Sequence, residues 1–336
     1  MAAIASAPET KTPINTNSNH KSIQNNISYA VRQYESCQDW ATCGKVEGDN
    51  GFDYIIVADS HGKRLGKKDW FIKKYMQRDW GSFLQNPEWR KILISESSDG
   101  WRSGQTIFTT ILIGTTFTCI KIFKDRIETS WIGDSSAKIY KINETPYVVW
   151  STKDHDYCNT DDIAAMEQYY IRDSKIRSEH KEFDRPYFRK QKAWDIKAIG
   201  PTTMTNVQSY YFTVSAKLNR NNVPNGITDK TNMTRCLGHS GKFSVLGFDT
   251  QTIPLEEGEK YKIVAGTDGF WGVMSDDDIN IISNTDNDAS TLCEIAFERW
   301  GQPWLHKPPA PYMEKNNVII PEHNRDDIAV AIWSNM

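Results

Sequence analysis

Apolar positions along the chain recur mostly at the period of strands. FDYIIVAD (52–59) is β-branched and aromatic, and TIFTTILIG (106–114), TFTCIKIF (116–123), RIETSWIG (126–133), AKIYKI (137–142) and YVVWS (147–151) follow at short intervals. Spacing this close predicts antiparallel pairing, because a parallel crossover needs about a dozen residues or more. YKIVAGTD (261–268) and IAVAIW (328–333) predict two further strands. Three stretches carry helical spacing instead. DWFIKKYMQRDWGSF (69–83) puts Ile72, Tyr75, Met76 and Phe83 near one face, TDDIAAMEQYYIR (160–172) opens with a threonine cap and two aspartates that complement a helix dipole, and ASTLCEIAFERW (289–300) is the third. Residues 1–25 show no apolar period and are expected to be a flexible tail. Residues 26–336 then form one α+β domain, with an exposed excursion at about 173–194 where Lys, Arg and aromatics dominate without a period.

Composition narrows the function classes. Forty basic and 43 acidic side chains leave a formal charge of -3, so no long-range field favours nucleic acid or an anionic membrane. No apolar run reaches the roughly 20 residues of a spanning helix, and residues 1–25 hold no signal-peptide core, which predicts a cytoplasmic setting, with nuclear or virion association left open. The six cysteines, Cys37, Cys43, Cys119, Cys158, Cys236 and Cys293, are scattered without a CxxC pair, so reduced and mostly buried thiols are expected rather than a zinc ribbon or disulfide framework.

The chemistry lies in where the acids fall. Strands end in aspartate followed by a small or turn residue in VADSHG (Asp59), WIGDSSA (Asp134) and VAGTDGFWG (Asp268). NRDDIAVAIW places Asp326 and Asp327 just before the last strand, and ESCQDW adds Asp39. One such aspartate is ordinarily a turn residue bonding its own backbone. Several at adjacent strand ends would share a rim of the sheet and repel unless a cation neutralises them. Oxygen ligands without a His or Cys cluster suit Mg2+ or Mn2+ and disfavour zinc.

The order of these segments resembles the metal-dependent protein serine/threonine phosphatases of type 2C, the PPM family, from about residue 36 onward. ESCQDW is similar to the family's first acidic element, VADSHGK to its Asp-Gly-His-Gly turn, and SGQT (103–106) to its Ser-Gly-Ser-Thr strand opening. WIGDSSAKIY resembles Gly-Asp-Ser-Arg-Ala, STKDHD (151–156) Thr-x-Asp-His, and MTRCLGHSG (233–241) Thr-Arg-Ala-Leu-Gly-Asp. AGTDGFWGVMSDDD resembles Ser-Asp-Gly-Leu-Trp-Asp-Val, and NRDDIAVAIW the terminal Asp-Asn-Ile-Thr-Val strand. The resemblance implies a four-layer αββα sandwich of two antiparallel sheets flanked by helices. It implies two Mn2+ or Mg2+ ions per active site, held by Asp39, Asp59, Asp268, Asp326 and the carbonyl of Ser60, which activate a water against phosphoserine or phosphothreonine of a phosphoprotein. His61 would be the general acid, an imidazolium favoured by nearby carboxylates, in a monomer with no nucleic-acid partner.

Departures from the family pattern accompany this. Ser60 stands for glycine and would be strained if the turn needs positive φ. Gly272 replaces a carboxylate of a third metal site whose other partner, Asp134, is retained, so a third ion is expected to be weak or absent. His239 replaces an aspartate, and Asp327 replaces an asparagine. The arginine that grips substrate phosphate is displaced, with Arg32 the nearest candidate. These changes keep two alternatives in view: a catalytically weak or inactive relative that binds phosphoproteins or assembly partners, and a metal phosphohydrolase for small or nucleic-acid substrates.

Overall fold

The computed structural model describes residues 18–23, 26–34, 38–62, 70–98, 113–156, 158–179, 187–216, 227–239, 243–286, 288–307 and 316–336. SGQT (103–106), most of TIFTTILIG and Cys37 lie outside these residues.

Strands are numbered in chain order. A six-stranded antiparallel sheet runs β1 (Ser18–Ile23), β2 (Ile27–Arg32), β18 (Ile328–Ser334), β15 (Tyr261–Gly266), β8 (Ser136–Lys141), β9 (Tyr147–Ser151). A seven-stranded antiparallel sheet runs β13 (Leu237–Gly238), β5 (Ile113–Thr115), β4 (Phe52–Gly62), β6 (Phe117–Ile122), β7 (Arg126–Ile132), β14 (Asp249–Pro254), and β3 (Asp39–Val46) also pairs with β4. Period-two alternation packs the two sheets together. Ile55, Val57, Ile120 and Ile122 of one meet Ile139, Ile263, Ala265 and Ala331 of the other in a buried layer.

The outer faces are apolar too, which is why the strands read as unbroken hydrophobic runs. On the seven-stranded sheet, Ile56, Ala58, Phe117 and Cys119 pack with helices α1 (Trp70–Met76), α2 (Trp80–Gln85) and α3 (Trp89–Ser98), through Phe71, Tyr75, Trp80, Trp89 and Leu93. On the six-stranded sheet, Val264, Val330 and Ile332 share a core with residues of α5 (Asp268–Trp271), α6 (Ile279–Asn284) and α7 (Ala289–Gly301); α4 (Thr160–Glu179) precedes these in the chain. The result is the expected α+β arrangement of packed antiparallel sheets flanked by helices.

Three features differ from the sequence reading. Residues 18–23, read as tail, form edge strand β1, held by backbone pairing to β2 from Ser18↔Arg32 to Ile23↔Ile27, a source of order invisible to apolar patterning. The single helix expected over 69–83 is two, because the Asp79 side chain caps α2 by accepting from the Ser82 N–H at 3.2 Å and stops α1 from running on. Of the excursion expected at 173–194, residues 173–179 end α4, 180–186 lie outside the described residues, and 187–194 open a long hairpin, β10 (Tyr187–Gly200) and β11 (Thr203–Ala216). With β12 (Ile227–Thr231), β16 (Pro303–Lys307) and β17 (Asn316–Ile319) this hairpin makes a third sheet, in which β11 and β16 are parallel. Ala198, Met204 and Trp304 tie that sheet into the same core as Phe270 and Trp271.

Candidate functional site

Both main sheets send carboxylates to one rim. Asp39 at the start of β3 is the register partner of Asp59 near the end of β4. From the opposite sheet, Asp268 opens α5 two residues after β15, and Asp326 lies two residues before β18. Asp134 sits on the connection from β7 to β8, which crosses between the sheets. Their electrostatics show one cluster. Burial, then the charges of Asp39, Asp268, Asp326 and Asp134, push the Asp59 carboxyl well above the usual carboxylate range. Asp39 is raised by burial, Asp327, Asp326 and Asp268, against an opposing hydrogen bond from Thr267; Asp326 is raised by burial, Asp268 and Asp327.

Neutral neighbours hold these acids in place. The Thr267 hydroxyl donates to Asp39 Oδ2 at 2.5 Å and accepts from the Ala329 N–H at 3.0 Å, so one side chain links β3 to β18. The Asp59 N–H donates to Thr116 Oγ1 at 2.9 Å, and the Thr116 N–H returns to the Asp59 carbonyl at 2.8 Å. Gly269 is required for the close approach of α5 to the chain before β18, since a Cβ there would lie 1.8 Å from the Asp327 carbonyl oxygen. Asp327 does not join the acids as a ligand would. Its two oxygens accept from the N–H groups of Tyr34 at 2.6 Å and Gln38 at 2.7 Å, clamping the backbone that leads into Asp39. An asparagine offers only one acceptor oxygen here, which explains a carboxylate at this position. Asp327→Ala should therefore destabilise the protein by about 2 kcal/mol, the cost of stranding buried donors, read as a lowered denaturant midpoint with unchanged m.

One buried carboxylate atom at this rim is left without a hydrogen-bond partner among the described residues. Asp39 is 2% exposed, and its Oδ1 is buried with no hydrogen-bond partner among the described residues. A buried carboxylate oxygen without a donor, surrounded by further carboxylates, is a costly arrangement that a hard divalent ion would relieve through oxygen ligands.

Other expected site residues are placed differently. The turn expected after Asp59 is absent: β4 continues through Gly62, and Ser60, His61 and Gly62 pair with Thr115, Gly114 and Ile113. Ser60 is an ordinary strand residue with no positive φ, and its N–H donates to the Gln38 carbonyl at 3.0 Å. The strain foreseen at that position does not arise. Among the described residues no carboxylate hydrogen-bonds to His61. Its Nε2 lies 3.0 Å from His239 Nε2, and burial followed by the His239 charge pushes its pKa well below the usual histidine value, the direction opposite to that expected of an imidazolium. Arg32 pairs with Glu294 Oε1 at 3.1 Å and lies over the Phe297 ring at 4.1 Å, so its guanidinium is engaged on α7. At Gly272 a Cβ would stand 2.8 Å from the Asp268 carbonyl oxygen, so the local helix turn leaves little room for the side chain that the resemblance would put there.

Asp154 and Asp156 stand in STKDHD, and Lys197 in β10. They line, with Asp134, Asp268 and Asp326, a cleft of about 670 Å³ between the acidic rim and the third sheet. Asp134 is raised by burial, Asp268, Asp154 and Asp156, and burial pushes Asp154 up to about 7. STKDHD carried a readable signal for the two acids. Lys197 had none, because it stands in a strand whose apolar residues follow no period.

No family model and no curated protein matches the sequence. Solved structures similar in the course of the chain include a C. elegans sex-determining protein, at TM-score 0.48 and 16% identity, covering 97% of this chain and 66% of that one. The present chain thus spans just under two thirds of that protein's length. The serine/threonine phosphatase of S. agalactiae gives TM-score 0.45 and 15% identity, covering 94% of this chain and 99% of that one. The Staphylococcus aureus serine/threonine phosphatase Stp1 gives 0.43 and 11%, covering 99% of this chain and 100% of the other.

Proposed function

We propose that this chain is a PPM-type phosphatase that hydrolyses phosphoserine or phosphothreonine in proteins, using two Mn2+ or Mg2+ ions held by Asp39, Asp59, Asp268 and Asp326. The observation that carries the reading is the convergence of these carboxylates from both sheets around the unpartnered Oδ1 of Asp39. Ions bound there would supply an activated water and neutralise charge on the phosphoryl group. The chain's own residues orient this chemistry: Thr267 and the Asp327 clamp fix Asp39, and Thr116 fixes Asp59. Asp134 would hold a third ion weakly, because Gly272 contributes no carboxylate. Lys197, lining the cleft beside Asp154 and Asp156, would meet an anionic substrate in the absence of an arginine from β2.

Phosphate release from phosphothreonine and phosphoserine peptides, with and without Mn2+, tests the proposal. Lys197→Met should raise KM for such a peptide by about fivefold, with little change in kcat, as expected for loss of a binding contact of ~1 kcal/mol. An unchanged KM would remove Lys197 from the substrate path. A second reading, a phosphoprotein-binding relative without turnover, is favoured by the engagement of Arg32 on Glu294 and of His61 on His239. It would be adopted if metal binds and no phosphate is released.

A further inference from the structure

Two residues beyond Asp59, β4 carries His61 to a different kind of site. Its neighbour β5 presents Gly114 opposite His61, and β13 on the far side of β5 presents Gly238 opposite the same Gly114. His239 follows, so two imidazoles reach across the middle strand at the point where it has no side chain. The glycine is demanded by them: a Cβ at 114 would lie 2.3 Å from His239 Nε2 and 2.4 Å from His61 Nε2. Cys236, buried and not in a disulfide, completes the group. One ligand atom from each of His61, Cys236 and His239 lies within 4.8 Å of the others.

We propose that His61, Cys236 and His239 form a binding site for one zinc-class divalent ion, distinct from the carboxylate cluster. Zinc bonds of about 2.0–2.1 Å to nitrogen and 2.3 Å to sulfur span separations of this order after small side-chain adjustments. The two rings meet through Nε2, His61 Nε2 lying 3.0 Å from His239 Nε2, so the nitrogens that would face an ion already point at one another. His239 is, besides, the one non-glycine residue with positive φ among those described, at 47°, a backbone conformation that side chains other than glycine seldom adopt. Two imidazoles and a thiolate are softer donors than aspartate, so they select zinc over Mg2+ or Mn2+. Three protein ligands leave a fourth position for water or another donor. Cys236 would bind as thiolate, releasing its proton to solvent as the ion enters.

The test uses the full chain freed of metal by chelator and titrated with Co2+ in excess Mg2+, so that the carboxylates are occupied by the harder ion. A thiolate-to-cobalt charge-transfer band saturating at one equivalent is expected, displaced by Zn2+. The band should be lost in Cys236→Ser, weakened at least tenfold in affinity in His239→Asn, and kept in Asp59→Asn. Absence of the band in the wild type, or its persistence undiminished in Cys236→Ser, overturns the proposal. X-ray absorption at the zinc edge of the wild-type protein decides the matter if a variant does not fold: one sulfur with nitrogen ligands supports the site, and a shell without sulfur rejects it. The inference does not rest on the phosphatase reading, because none of these measurements requires turnover.

Discussion

Asp59→Asn should lower Mn2+-dependent phosphate release by at least about a thousandfold, the equivalent of ~4 kcal/mol of transition-state stabilisation, while making the metal-free protein more stable than the wild type. Both effects follow from the same contacts. Asp59 lies among the charges of Asp39, Asp268, Asp326 and Asp134, so a neutral amide removes a negative charge that an ion would otherwise have to offset. Relief of that repulsion should stabilise the metal-free fold by about 1–2 kcal/mol. Adding Mn2+ should then raise the melting temperature of the wild type much more than that of the variant. Phosphate release and thermal denaturation with EDTA or Mn2+ read the two halves separately. Unchanged turnover would end the proposed mechanism. A variant less stable than the wild type in EDTA would mean that Asp59 is a structural acid.

The largest expected loss of stability lies elsewhere, at Arg299→Ala. Arg299 on α7 donates to both oxygens of Asp278, at 2.8 and 2.7 Å, and to the Val273 carbonyl at 3.1 Å. Asp278 is 0% exposed and also accepts from the Ser275 N–H at 2.7 Å. Truncating the arginine leaves a buried carboxylate without its counter-charge, a change that costs roughly 3–5 kcal/mol. Burial opposes ionisation of Asp278, yet the hydrogen bonds from Arg299 and Ser275 and the Arg299 charge hold its pKa below the ordinary value. A depressed carboxylate contributes stability that is present above the unfolded pKa of about 3.9 and is lost as pH falls through the lower folded value. The gap between wild type and variant in urea denaturation should therefore be full at neutral pH and narrow below about pH 4. A gap that does not depend on pH would mean the arginine acts through packing alone.

What the sequence reveals follows the physics of each element. β4, β6, β7 and β18 are legible because they are buried and β-branched, and Asp39, Asp59, Asp268 and Asp326 because each stands at or beside an end of such a strand. β1 and β10 are illegible for the opposite reason. Backbone pairing to a neighbour holds them, and pairing leaves no trace in the side-chain period. The recurrence of aspartate at strand ends forecast the carboxylate cluster, but nothing local forecast that His61 would turn to His239, 178 positions away along the chain. That meeting depends on a glycine in a third strand. Asp327 is a similar case: its place beside Asp326 suggested shared chemistry, and its contacts with Tyr34 and Gln38 show a backbone clamp.

The division of the carboxylates between the sheets has a mechanical side. Asp39 and Asp59 belong to one sheet, and Asp268 and Asp326 to the other, so their mutual repulsion acts as a wedge driven into the open edge of the sandwich. The apolar layer of Ile55, Val57, Ile139 and Ile263 behind them is what keeps that edge shut. A cation at the rim would work as a rivet through both plates, and part of its affinity would be strain that the hydrophobic interior already holds.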